Sequence, residues 1–228
     1  MRLRIESVWH VAAVLATALL YEVSPVSAQV FRDDFDGTAI DTSAWVVEPG
    51  DGQVVVADGA VTLSCTGTVF PVVTTRNDPF PPGDFRVLVG MQYLSQAFCG
   101  DGIGTMDNFW ENYRGGTACR PFLLWQDTGG LYVYTGSAGP TGLLPPPETG
   151  YHLYEWVYMN GEYQFSMDGM LRASGGCAPR ATSLFFGHPH PIGCSPWTSF
   201  AIDFVDVSPI GATAAPPTTW GRVKSIYR

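Results

Sequence analysis

Between residues 151 and 173 apolar and polar residues alternate, and the alternation breaks twice, at Asn160-Gly161 and at Asp168-Gly169. A period of two sends successive side chains to opposite faces of an extended chain. Asn-Gly and Asp-Gly supply the two positive-φ positions of the tightest hairpin turns. The segment therefore predicts three antiparallel strands in a meander. On the first strand His152, Tyr154, Trp156 and Tyr158 share one face, and Leu153, Glu155, Val157 and Met159 share the other. Both faces are partly apolar, so the aromatic stripe has two readings: it fills an inter-sheet core or lines an open face.

The same pattern recurs along the chain. Phe85, Val87, Val89, Met91 and Tyr93 fall on one face of a single run, and Asp58-Gly59 and Gly129-Gly130 punctuate two more strand pairs. Further runs at 30–35, 54–57, 61–65, 121–126, 131–135, 182–187 and 200–207 bring the count to roughly a dozen short strands with regular turns. No segment beyond residue 28 holds a period of 3.6 over three turns. The expectation is an all-β sandwich or barrel. A hydrophobic share of 46% can fill a core, and 26 Gly and 18 Pro suit turns rather than helix bundles. With 12 basic against 21 acidic residues, the net charge of −9 excludes a basic nucleic-acid footprint. It also disfavours attraction to anionic membranes.

The first 28 residues read as a signal peptide. Arg2 and Arg4 precede an apolar run at 11–20, and Val26-Ser27-Ala28 places small residues before the cut. Ten apolar residues are too few for a membrane span, which needs about 20. The mature chain would start at Gln29 and be secreted or held at the cell surface. Residues 29–210 are read as one domain. Residues 211–228 form a linker and a basic, aromatic tail with Arg222, Lys224 and Arg228, a candidate sorting or surface-attachment signal.

An exported chain meets oxidising conditions, so disulfides are permitted. The cysteines are Cys65, Cys99, Cys119, Cys177 and Cys194, without a Cys-x-x-C pair that would point to zinc or thioredoxin chemistry. The local pairings Cys99–Cys119 and Cys177–Cys194 each close a Gly- or Pro-rich loop. Cys65 shares an alternating face with Val61 and Leu63 and is read as a buried thiol.

Several short motifs in order resemble concanavalin A-like lectin/glucanase domains. They are Phe31-Arg32-Asp33-Asp34-Phe35-Asp36-Gly37 with Ile40-Asp41, Ser43 and Trp45; the Asp58-Gly59-Ala60-Val61-Thr62-Leu63 hairpin; His152-x-Tyr154; Met167-Asp168-Gly169; and the closing run 197–207. The likeness spans roughly residues 31–207. It implies an antiparallel two-sheet jelly-roll sandwich whose concave face often binds a ligand. It also implies a structural calcium joining the first strand, the early hairpin and the last strand. The matching positions are the main-chain oxygens of Asp34 and Gly59 and the carboxylate of Asp203, all hard oxygen ligands.

The group includes retaining family 16 glycoside hydrolases, whose signature Glu-x-Asp-x-Glu sets carboxylates on one sheet face. Retaining chemistry needs two carboxyl groups about 5–5.5 Å apart. This chain has no Glu-x-Asp-x-Glu. Glu155 and Glu111 are the weak catalytic candidates. Glu155 has only Leu153 and Val157 beside it on its own strand, though Glu162 could face it across the Asn160-Gly161 turn. His188 and His190 are spaced for a metal but stand among prolines without a carboxylate beside them, so a structural loop is the better reading.

The stretch 100–116 reads as a loop with Asp101, Asp107, Asn108 and Glu111 as oxygen donors. Phe109, Trp110 and Tyr113 are stacking faces there, and Arg114 is a hydrogen-bond fork. Sugar rings have apolar faces and polar edges, which such residues suit. The competing reading caps one end of the sandwich with those aromatics. Trp125, Trp156 and Trp197 are further candidates for a binding rim. The leading expectation is an exported, non-catalytic lectin-like domain with a glycan as partner. The rivals are a degenerate hydrolase using Glu155 or Glu111, and a structural surface protein without a small ligand.

Overall fold

In a computed structural model the chain is described over residues 31–65, 69–94, 101–106, 120–127, 130–137, 142–145, 150–175, 180–187 and 198–211. Two antiparallel sheets account for every strand among them. The eight-stranded sheet runs β13 (Met170–Gly175), β12 (Glu162–Met167), β11 (His152–Met159), β6 (Phe85–Tyr93), β15 (Thr198–Pro209), β4 (Ala60–Cys65), β3 (Gly52–Ala57), and β1 (Phe31–Asp33) also pairs with β15. The seven-stranded sheet runs β10 (Gly142–Leu144), β9 (Gly130–Ser137), β8 (Arg120–Asp127), β7 (Asp101–Met106), β14 (Ser183–Gly187), β5 (Val72–Thr75), β2 (Trp45–Glu48). The chain crosses between sheets repeatedly, as a jelly roll does.

The hairpin turns form where the dipeptides predict them. Asn160 and Gly161 have φ of 53° and 81°, Asp168 and Gly169 of 51° and 76°, and Asp58 and Gly59 of 54° and 68°. Positive φ at both central residues matches the strand twist. One expectation is corrected here. Residues 101–106 are not loop but the strand β7, in the middle of the seven-stranded sheet. Gly102 and Gly104 hid it, because glycine in a run ordinarily reads as a break.

The core lies between the sheets. Tyr154, Trp156, Phe165, Phe85 and Val89 are fully buried from one side, and Trp45, Val73, Leu184 and Phe186 from the other. The aromatic stripe of β11 is therefore core, which closes the choice left open by alternation. Trp45 joins the layers: its ring lies 5.4 Å from Phe186 and 5.3 Å from Phe31. Its indole Nε1 donates to Asp33 Oδ2 at 2.7 Å, while Asp33 Oδ1 accepts from the Phe35 amide at 2.8 Å. That second bond helps hold Phe35 at φ 51°, an unusual conformation for a bulky residue. Truncating a buried aromatic of this kind costs about 3–5 kcal/mol.

Candidate functional site

A sandwich offers two outer faces, and registers assign residues to each. In the seven-stranded sheet Val133 is fully buried in the core, so its neighbour Tyr132, half-buried, belongs to the outer face. Register then extends that face as a row. Leu143 pairs with Tyr132, Tyr132 with Trp125, Trp125 with Gly102, Gly102 with Gly187, Gly187 with Val72 and Val72 with Glu48. The next row runs Tyr134, Leu123, Gly104, Phe185, Thr74, Val46.

This face has aromatic positions toward β8 and β9 and glycines across β7 and β14. At Gly102 and Gly104 this leaves the sheet surface without side chains, so another group can approach the backbone closely, whereas at Gly187 that space is taken by the Pro71 backbone. Phe185 and Val72 sit on the same face, are buried, and lie outside the inter-sheet core cluster. The described strands of this sheet carry three carboxylates, Glu48, Asp101 and Asp127, each at a strand end. No two stand at the i, i+2 spacing that would place a catalytic pair on one face.

The sequence-derived candidates fall in different places. Trp125 lies in β8 opposite Tyr132 and Gly102. Trp156 is corrected: it is 0% exposed between the sheets, so it offers no ring to a ligand. Glu155 lies on the outer face of the other, eight-stranded sheet. Its Oε1 is 3.7 Å from Arg86 Nη1, and both side chains are about one-third exposed. Its hairpin neighbour is Ser166, whereas Glu162 faces Met159, so Glu155 and Glu162 do not meet. Four residues of strand separate their register positions, about 13 Å. Glu111, Phe109, Trp110, Tyr113, Trp197, His188 and His190 lie outside the described residues, as do Cys99, Cys119, Cys177 and Cys194. Cys65 is buried, with its sulfur 3.5 Å from the Val69 carbonyl oxygen.

Register also converges on the three expected cation positions. Asp33 pairs with Val205, which brings Asp34 level with Phe204, and Ile202 pairs with Val61, which brings Asp203 level with the Asp58-Gly59 turn. Asp203 is the extra residue of a bulge between Ile202 and Phe204 and is 8% exposed. One carboxylate and two carbonyls make an all-oxygen donor set, which fits calcium rather than zinc. The Asp34 carboxylate is engaged by Arg32, at 2.7 and 3.0 Å, which leaves its main chain as the relevant donor. Among the described residues no three His, Cys, Asp or Glu side chains cluster as a metal site.

Tyr132, Leu143, Gly102, Gly104 and Gly187 were not singled out as site residues from sequence. The alternation of 131–135 placed Tyr132 and Tyr134 on one face of a strand. It carried no sign of which sheet that strand would join.

No family model matches the chain, and no curated protein matches it. Solved structures do. A β-1,3-1,4-glucanase (lichenase) from a mouse hindgut metagenome is 15% identical, covering 79% of this chain and 99% of that one, with a TM-score of 0.57. The catalytic domain of an endo-1,3-β-glucanase (laminarinase) from Thermotoga petrophila RKU-1 is 14% identical over 78% and 96%, with a TM-score of 0.54. A structure from work on endo-acting O-glycanases, which human gut microbiota express to initiate mucin breakdown, is 17% identical over 78% and 98%, at 0.56. The shared feature is the fold, a concanavalin A-like jelly roll.

Proposed function

We propose that this chain is an exported, non-catalytic carbohydrate-binding domain, and that a glycan lies on the outer face of the seven-stranded sheet. The observation that carries the reading is the pairing across that face. Trp125, Tyr132 and Leu143 stand in one register row beside Gly102, and the described strands of this sheet hold no carboxylate pair. Aromatic faces suit the apolar side of a sugar ring, and the glycines of β7 would give that ring room. Retaining hydrolysis needs two facing carboxylates, which these strands do not supply. The likeness in fold to a lichenase and a laminarinase supports a carbohydrate ligand. The signal-peptide pattern read in the sequence at 1–28 supports export, where such a ligand would be met.

Calcium belongs to the same proposal as a structural ion. Asp203 would supply the carboxylate, and Asp34 and Gly59 the main-chain oxygens. Bound there, the ion would tie three distant chain segments together.

A glycan array on the full chain, with a reducing-sugar assay on β-glucans, tests the reading. The expected result is binding without product, weakened about tenfold by Trp125→Ala or Tyr132→Ala. Turnover of any array hit would overturn the non-catalytic reading. Binding indifferent to both substitutions would overturn the assigned face.

A further inference from the structure

The described chain is charged unevenly. Residues 33–75 contain seven carboxylates and no lysine or arginine. This segment builds β2 and β3, which are the terminal strands of the two sheets. The flanking arginines are engaged locally, Arg32 with Asp34 and Asp206, and Arg76 with the Thr42 carbonyl at 2.9 Å. Glu48, Asp51 and Asp58 end or flank these two terminal strands, with no basic residue between them in the chain.

The outer edge of β3 is also an unfinished sheet. Among the described residues β3 pairs with β4 alone, in a continuous register from Gly52–Cys65 to Ala57–Ala60. In an antiparallel pair every second residue turns its N–H and C=O away from the neighbour. Edge strands usually carry devices that discourage further pairing, such as a lysine, a proline or a bulge. Gln53-Val54-Val55-Val56 has none of these, and Val55 is 48% exposed.

Beside the edge lies an apolar cleft of about 260 Å³, between the two terminal strands and the 38–40 loop. Ile40, Val47, Val54 and Val56 line it. A strand added to β3 would set alternate side chains over this cleft. Exposed Asp51 and Asp58 stand at the two ends of β3, and Glu48 ends β2 nearby. Those carboxylates disfavour an antiparallel second copy of β3, because its own acidic ends would come to lie against them. They favour a partner with the opposite sign.

We infer that the β3 edge is a docking site for an extended peptide segment of another protein, with alternating apolar residues between basic ends. Main-chain bonds to β3 would supply affinity, the cleft would take the apolar side chains, and the carboxylates would fix the ends. This site is independent of the proposed glycan face, since it uses neither Trp125 nor Tyr132.

The test uses the full chain and the probe peptide Lys-Val-Thr-Val-Thr-Val-Lys, followed by fluorescence anisotropy and by amide hydrogen exchange. Binding is expected to slow exchange at residues 53–57 and to weaken with salt. Asp51→Asn and Asp58→Asn should each weaken it about threefold. Asparagine keeps an acceptor at 51 for the Val69 amide and tolerates the left-handed backbone at 58. A peptide N-methylated at alternate residues should not bind.

Several results would overturn the proposal. One is absence of binding, and another is salt-sensitive binding that leaves 53–57 unprotected. Protection appearing at the β13 edge instead would do the same. So would protection of 53–57 before peptide is added. In a monomer by sedimentation that means the chain covers its own edge, and in a dimer that a second copy does.

Discussion

Tyr154 and Tyr163 sit on neighbouring strands of the core, both 0% exposed, yet removal of their hydroxyls should have opposite effects. The Tyr163 hydroxyl accepts a hydrogen bond from the buried Ala181 amide at 3.3 Å. Tyr163→Phe leaves that N–H buried without an acceptor, a cost of about 1–3 kcal/mol. The Tyr154 hydroxyl is buried with no hydrogen-bond partner among the described residues. Tyr154→Phe removes an unsatisfied group and keeps the ring that stacks on Phe165 at 6.3 Å. The expected gain is about 1 kcal/mol, since the desolvation penalty vanishes and only one oxygen's packing is lost. For a domain of this size that is a rise in Tm of about 2–4 °C, against a similar or larger fall for Tyr163→Phe.

Alkaline pH supplies a second readout. Burial first, and the Asp168 carboxylate second, push the Tyr154 phenol well above its ordinary range. Its folded-state pKa therefore exceeds the unfolded value. The stability linked to this group is complete below about pH 10 and falls as pH rises past the unfolded pKa, because only the unfolded chain releases the proton readily. Tyr154→Phe should remove that part of the alkaline loss. Calorimetry of the wild type and both variants at neutral pH and above pH 10 checks each step. If Tyr154→Phe destabilises as much as Tyr163→Phe, the Tyr154 hydroxyl has a partner and the reasoning fails.

Glu155→Gln should leave glycan binding unchanged and alter stability by less than about 1 kcal/mol, because its pair with Arg86 is part-exposed and at 3.7 Å. Any loss of glycan binding or turnover in that variant would restore Glu155 as a site residue. If calcium binds at Asp203, a concentration of 100 times its Kd should stabilise the fold by about 2.7 kcal/mol, and EDTA should reverse this. Asp203→Asn should abolish the calcium response, and a Tm unaffected by either reagent would refute the ion. Peptide mapping without reduction is expected to return Cys99–Cys119 and Cys177–Cys194, each worth about 3 kcal/mol, and a bridge containing Cys65 would refute that pairing.

What the sequence disclosed and what it withheld divide along the range of the interactions. The meander was legible because a two-residue turn is a local device. Asn160-Gly161 and Asp168-Gly169 carry their φ requirements with them, and the observed values of 53°, 81°, 51° and 76° follow. The same turn also fixed a fact that the sequence reading left open. Once Met159 faces Glu162, each step back along β11 is a step forward along β12, so Glu155 must face Ser166. Two glutamates on one face are then four residues apart, too far for shared chemistry.

Sheet membership was not local. Tyr154 and Trp156 have an apolar stripe on their own face and Leu153 and Val157 on the other, so alternation offers two equivalent packings. The choice is made by β6, whose Phe85, Val87 and Val89 pair with Tyr158, Trp156 and Tyr154 and turn that row inward. Nothing in the 60 or so residues between those strands announces the pairing, because long-range contacts are selected by the whole core. The central strand β7 was hidden for a different reason. Gly102 and Gly104 weaken a strand in isolation, yet neighbours on both sides bond their backbones. Gly187 is required by the fold itself, since its φ is 106° and a Cβ there would run into the Pro71 backbone, whereas Gly102 and Gly104 cost β7 stability. A ligand lying close to the β7 backbone would offset that cost at Gly102 and Gly104, and this is the physical reason why the proposed glycan is set on that face.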